Sequence, residues 1–257
     1  MNEQVAVITG AAQGIGEATA WRFAEQGAKL VLSDIVEGAA QVAAAIAESH
    51  PGSGAIGTRT DVTDPGACEQ LIGQAIERHG RLDVLAVASV TAPPACPLED
   101  LDPREWDRVM AVNAKGPFLL CRSAIPHLNT PGGRIVFVHS AHAQAGSPER
   151  AVYSASKGAL GSLIKSLALE LAPRQITVNG VAPWHVEAAV NAEALRAQAE
   201  TEGITVEEAR HRRDSGIPLG RQATTREIAD AIAFLAAPGS AYITGTVLDI
   251  NGGMRLR

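Results

Sequence analysis

Seven short apolar runs, rich in β-branched residues, punctuate the chain: VAVIT from Val5, KLVLS from Lys29, AIGTRT from Ala55, LDVLAVA from Leu82, RIVFVHS from Arg134, ITVNGV from Ile176 and VLDI from Val247. Each has the length and composition of a strand buried on both faces. Between every successive pair lies a segment of helical spacing, at 15–26, 37–48, 65–79, 102–127, 152–171 and 225–236. Strict strand–helix–strand alternation leaves the chain one economical solution, a doubly wound parallel α/β sheet of seven strands with helices on both faces. Asp64-Pro65 and Asp102-Pro103 read as helix caps followed by a first-turn proline, and Pro173 closes the long fifth helical segment. Neither a linker, a repeat nor a low-complexity tract interrupts the pattern, so the 257 residues read as a single domain, 1–257.

Composition narrows the functions open to such a fold. A net charge of −6, with 46% hydrophobic and 19% charged residues, gives no reason to expect nucleic acid as a partner. No run approaches the roughly 18 apolar residues of a membrane span. The opening MNEQVAVITG has no basic region and no cleavable apolar stretch, which suits a cytoplasmic protein. Cys68, Cys96 and Cys121 are far apart and lack metal-ligand spacing, so neither a disulfide framework nor a metal site is expected.

The first run leads into TGAAQGIG, which sets Gly10, Gly14 and Gly16, with Gln13 and Ile15 between them, at the turn into a helix. Glycines there let the backbone approach a pyrophosphate, which the free N–H groups and dipole of the helix N-terminus favour. A bland tight turn would also account for three glycines, but the second run adds Asp34, 18 residues beyond Gly16. A carboxylate at that place accepts hydrogen bonds from the adenosine ribose and repels a 2′-phosphate. Ala11, Ala12 and Ile35 offer no cation for such a phosphate, so the expected cofactor is NAD rather than NADP.

With that loop, the Asp61-Val62 pair after the third run, Asn113 within VNAKGPF, Ser140, and YSASK from Tyr153 to Lys157, the chain resembles the short-chain dehydrogenase/reductase family over nearly its full length. The resemblance implies a Rossmann sheet of seven strands, a nicotinamide cofactor, a small-molecule substrate and, commonly, a homotetramer. It also implies that Asp61, Val62, Ala88, Pro183 and Val186 lie along the cofactor, and that Lys157 holds the nicotinamide ribose. The residues make chemical sense of this. Tyr153 and Lys157, four apart, share one helix face. A free phenol ionises near pH 10, about three units too high for neutral proton transfer, or roughly 4 kcal/mol. An adjacent ammonium favours phenolate and supplies part of that shift. Ser140, 13 residues before Tyr153, would hold the substrate oxygen. Asn113 would anchor a water linking Lys157 to solvent.

Two stretches depart from the family. Val87-Ala88-Ser89-Val90 stands where Asn-Asn-Ala-Gly is usual, and Val90 adds bulk and narrows the backbone beside the adenosine ribose. Pro183-Trp184-His185-Val186-Glu187-Ala188 replaces a Pro-Gly and a later Thr, removing one hydrogen bond to the carboxamide. On the substrate side, Ser140-Ala141-His142 followed by Arg150 three before Tyr153 resembles, in part, 3-hydroxybutyrate dehydrogenases. In those the matching His and Lys hold a carboxylate, and an Arg grips one with a bidentate fork. Ser140, His142, Arg150 and Trp184 are therefore the expected substrate residues, and a small hydroxy or keto acid the expected substrate. A neutral polyol or secondary alcohol, a dinucleotide-binding regulator with little turnover, and an NADPH-linked acyl-carrier reductase remain as alternatives. The polar, helix-prone segment 187–215 is expected to be a substrate lid, with Arg210, Arg212, Arg213 and Asp214 on its solvated face.

Overall fold

Alternating side chains explain the whole scaffold. The strands are β1 Val5–Thr9, β2 Lys29–Asp34, β3 Ile56–Arg59, β4 Val84–Val87, β5 Arg134–Val138, β6 Thr177–Pro183, the two-residue β7 Val186–Glu187 and β8 Ala223–Thr224, and β9 Val247–Ile250. The helices are α1 Gly14–Glu25, α2 Gly38–Ser49, α3 Pro65–His79, α4 Pro103–Met110, α5 Gly116–Ala124, the single turn α6 His142–Ala145, α7 Ala151–Leu171, α8 Ala189–Glu202, α9 Val206–Ser215 and α10 Thr225–Ala236. The computed structural model describes residues 1–93 and 95–255, apart from the side chains of 189–194.

The expected sheet forms, with seven parallel strands in the order β3-β2-β1-β4-β5-β6-β9. Successive residues of one strand feed opposite cores. Val7, Leu85 and Phe137 pack against Leu71 of α3, Leu120 of α5 and Ile164 of α7. Ile8, Leu30 and Val136 pack against Phe23 of α1, Ile46 of α2 and Ile232 of α10. Each such side chain contributes about 1.5–3 kcal/mol through burial, and the result is a rigid sheet whose carboxyl ends can carry chemistry. Strand order reverses between β1 and β4, which opens the crevice where ligands bind in such folds.

The capping expectations hold. Asp64 and Asp102 each accept a hydrogen bond at 2.9 Å from the backbone N–H two residues on, and Pro173 sits in the turn that ends α7. The helical segment expected over 102–127 runs without a break from Pro103 to Ala124, but it is not α-helical throughout. A π-helical turn at Ala111–Lys115 separates α4 from α5. Pro117 has no N–H to donate to the carbonyl of Asn113, and Gly116 lies so close to Val62 that a Cβ would meet its side chain at 2.9 Å. The sequence reading also missed the β7–β8 pair. The polar 187–215 segment resolves into α8 and α9, packed through Leu195, Ala199 and Ala209, with Thr205 and Glu208 forming a capping box. The part of that segment's reading that concerns side chains 189–194 lies outside the described residues. Among the described residues, no helix is long and apolar enough to cross a membrane.

Candidate active site

The three glycines of the first loop are there for different reasons. A Cβ on Gly10 would lie 2.6 Å from the Ser89 nitrogen, and one on Gly16 would lie 2.0 Å from the Gly10 oxygen, so both are demanded by backbone packing. Gly14 has its nearest neighbour, the Ala188 Cβ, 4.0 Å from such a Cβ, so it is demanded by its φ of +64 and not by packing. Gln13, the extended residue before α1, makes no side-chain cap, so it leaves the first-turn N–H groups uncovered. A pyrophosphate fits that arrangement.

At the end of β2 the Asp34 carboxylate accepts hydrogen bonds from the backbone N–H of Ala12 at 3.0 Å and of Val36 at 3.4 Å, which fixes it beside the loop. Ala11, Ala12 and Ile35 offer no cation, but a more distant segment brings one near, against the expectation drawn from those three residues. Arg59 is the register partner of Asp34 on β3, and its Nε donates to the Ile35 carbonyl at 2.9 Å. Asp61 turns one carboxylate oxygen onto Thr63, and Val62 is buried against Gly116. In the altered stretch after β4, the Ala88 N–H donates to the Thr9 carbonyl at 3.2 Å, and the Ser89 and Thr9 hydroxyls meet at 3.0 Å. A hydroxyl pair thus ties β1 to β4 across the switch point. Val90 is half exposed.

Tyr153 and Lys157 lie on α7 as the spacing requires, with the ammonium 6.0 Å from the phenol ring centre. Lys157 is only 2% exposed and donates to the Val138 carbonyl at 2.8 Å, and burial holds its pKa down to about 7. The expected downward pull of Lys157 on Tyr153 is not what dominates. Burial raises the phenol pKa, opposed first by a hydrogen bond with the Ser140 side chain and then by the charge of Arg150. Both groups lose water, and desolvation disfavours each one's charged form. The Asn113 side chain makes hydrogen bonds of its own. Its Oδ1 accepts from Thr91 N at 2.9 Å, and its Nδ2 donates to Thr91 O at 2.8 Å and Ser156 Oγ at 3.1 Å. The amide is a strut joining the π turn, the loop after β4 and α7.

The substrate side is built of rings and cations. His142 stacks on Trp184 with ring centres 4.1 Å apart and meets the edge of Tyr153 at 6.2 Å, with its Nδ1 on the Ser147 hydroxyl. Burial, then the charges of His185, Arg150 and Arg255, hold its pKa down to about 4, so at neutral pH it is an uncharged wall. Arg150 occupies the position before α7 without capping it and instead donates to the Pro93 carbonyl at 3.1 Å. Pro183 ends β6 and Val186, buried, begins β7, which leaves Trp184 and His185 projecting between them.

Sequence reasoning missed three members of this group. His185 meets His142 edge-on at 6.3 Å, and burial, followed by the charge of Arg213, lowers its pKa. Arg213 is not on a solvated face: it is half buried, donates to Gln198 at 2.8 Å, and its charge reaches His185. Arg255 places its guanidinium 5.5 Å from the Trp184 ring centre. Its position just past the last strand, at the carboxyl edge of the sheet, was the available signal.

A crevice at the switch point of a parallel sheet, with a helix N-terminus on one side and a Tyr, Lys and Ser on the other, defines a nucleotide-dependent oxidoreductase. The chain belongs to the short-chain dehydrogenase/reductase family, whose dehydrogenases and reductases act on secondary alcohols and their ketones. The family model described as enoyl-(acyl carrier protein) reductase matches residues 10–255. The chain is 37% identical to cis-4-hydroxycyclohexanecarboxylate dehydrogenase of Sinomonas cyclohexanicum, over 98% of this chain and 96% of the relative. It is 38% identical to glucose 1-dehydrogenase of Gluconobacter oxydans (strain 621H), over 97% and 91%. A solved short-chain dehydrogenase/reductase from Brucella melitensis, described as a glucose/ribitol dehydrogenase, superposes with a TM-score of 0.88 at 32% identity, covering 100% of this chain and 98% of that one.

Proposed function

We propose that this chain is an NAD(H)-dependent oxidoreductase that interconverts the secondary alcohol and ketone of a small hydroxy or keto acid. The loop from Gly10 to Gly16 seats the pyrophosphate, Asp34 the adenosine ribose, and the backbone at Ala88, Pro183 and Val186 the remainder. When bound, the cofactor accepts or supplies the hydride. Tyr153 takes the hydroxyl proton in oxidation and returns it in reduction, while Ser140 hydrogen-bonds the same substrate oxygen. Lys157 holds the cofactor ribose, and Asn113 keeps α7 and the loop after β4 in register. The 187–215 segment serves as the substrate cover, a role supported by the reach of Arg213 to His185. The reading extends to a cytoplasmic homotetramer, supported by apolar side chains exposed at Leu169, Phe234 and Tyr242.

One observation carries the acid. Arg150 stands at the head of the helix that bears Tyr153, three residues before it, and its charge favours phenolate at Tyr153 and neutral imidazole at His142. The hydroxy acid in the name of the Sinomonas cyclohexanicum relative agrees with it. The test is turnover of the purified protein with NAD on hydroxy acids and their neutral counterparts, followed by NADH absorbance. Acids should be preferred, and Arg150→Ala should raise their KM roughly ten- to a hundredfold, the loss of a charged hydrogen bond of about 1.5–3 kcal/mol. Preference for neutral alcohols, or a variant that treats both classes alike, would refute the carboxylate.

A further inference from the structure

Beside the rings lies a cavity of about 460 Å³, lined on the site side by Trp184 and His185, on the apolar side by Ile217, Leu219 and Ile250, and also by Arg255. It is within the size range of small-ligand pockets and larger than a three- or four-carbon acid requires. Contacts run from it to the reacting phenol: Arg255 to Trp184 at 5.5 Å, Trp184 to His142 at 4.1 Å, His142 to Tyr153 at 6.2 Å. The Arg255 Nε is buried and has no hydrogen-bond partner among the described residues. A guanidinium offers five donors and no acceptor, and a buried N–H without a partner is a site for an anion's oxygen. Of the two acids in the lining, Glu227 is closed by Arg221 at 2.6 Å, and Asp249 has its Oδ1 turned away from solvent.

We infer that this cavity is the distal chamber of the substrate site and that Arg255 binds the carboxylate of acids whose apolar body, one ring or a chain of similar bulk, separates it from the reacting carbon. The inference rests on the hydroxy-acid reading and adds to it a size class and a specificity residue, Arg255, in the tail after β9. Trp184 lies between the two chambers and packs against the ring of the ligand, while Ile217, Leu219 and Ile250 cover its far side.

The probe is cyclohexanecarboxylate, an acid with a ring and no hydroxyl to oxidise, compared with cyclohexanecarboxamide on the NAD-bound protein. Binding is read from the intrinsic fluorescence to which Trp184 contributes. The acid should bind at least roughly tenfold tighter than the amide. Arg255→Ala should abolish that preference by weakening the acid and not the amide, and Arg255→Lys should keep part of it. Truncation at Cβ spares the Asn251 hydrogen bond to the Arg255 carbonyl at 3.0 Å, and an unchanged melting temperature checks that the tail stays folded. If Arg255→Ala binds the acid as tightly as wild type while Arg150→Ala weakens it, the distal chamber is wrong and the acid reading stands. If wild type binds acid and amide equally and also turns over neutral alcohols in preference to hydroxy acids, the acid reading falls and the chamber with it.

Discussion

Replacing Lys157 by Met should stabilise the protein while destroying its activity, and the stabilisation should depend on pH in a calculable way. The amine is buried, donates to one carbonyl, and has its pKa held down from 10.5 to about 7 by loss of water. That shift corresponds to roughly 5 kcal/mol, at about 1.36 kcal/mol per unit. Below about pH 7 both folded and unfolded chains carry the proton, and the folded state bears the full cost of a buried ammonium. Between about 7 and 10.5 the unfolded chain binds the proton and the folded one does not, so stability rises with pH. Integrated from near pH 6 to near pH 9, the wild type should gain about 3 kcal/mol from this residue, and the methionine variant, with no proton to lose, should gain none of it. Urea unfolding followed by tryptophan fluorescence at the two pH values measures the double difference, in which the lost Val138 hydrogen bond cancels. A wild-type-minus-variant difference that stays constant with pH would refute the reasoning, because it would mean that the amine is not desolvated in the folded state.

Tyr153→Phe should lower turnover by a factor of roughly 10² to 10⁴ with cofactor affinity little changed, since only the acid/base group is removed; stopped-flow turnover and a cofactor titration separate the two. NAD should be preferred over NADP by at least about tenfold, equivalent to about 1.4 kcal/mol. Asp34→Ala should narrow that gap and Arg59→Ala should widen it, read from dissociation constants as well as from kcat/KM. Gly10→Ala should lower the melting temperature sharply, because a Cβ there meets the Ala88 and Ser89 backbone at 2.6–2.8 Å and φ is +69; an unchanged melting temperature would contradict the packing role.

The sheet was legible because its signals are local. Seven runs of the right length, with helical spacing between them, leave little freedom in topology, and Asp-Pro caps mark two helix starts to the residue. Local spacing also put Tyr153 and Lys157 on one helix face and Ser140 just past β5, while their grouping as catalytic residues came from the family resemblance and not from spacing. What the sequence hid is what depends on separated segments. The π turn at Asn113 comes from Pro117 and from the approach of Gly116 to Val62, neither of which alters hydrophobic spacing. Arg59 looks like any exposed strand residue until the β2–β3 register sets it opposite Asp34. The burial that raises Tyr153 and lowers Lys157 depends on the layers closing over both. A reading of residue types alone credits the ammonium and misses the lost water.

The strut made by Asn113 has an evolutionary corollary. An aspartate has the same shape but no N–H, so it would set a carboxylate oxygen against the Thr91 carbonyl that now accepts from the amide at 2.8 Å. A single such change would be transmitted at once to two other segments, the loop after β4 and, through Ser156, the helix that bears Tyr153. Two of the cations around the rings, Arg213 at the end of α9 and Arg255 in the tail after β9, come instead from segments outside this strut. Selection acting on this chain can therefore exchange its charged periphery piece by piece, trying new substrates, while the amide at the centre forbids drift in the part that performs the reaction.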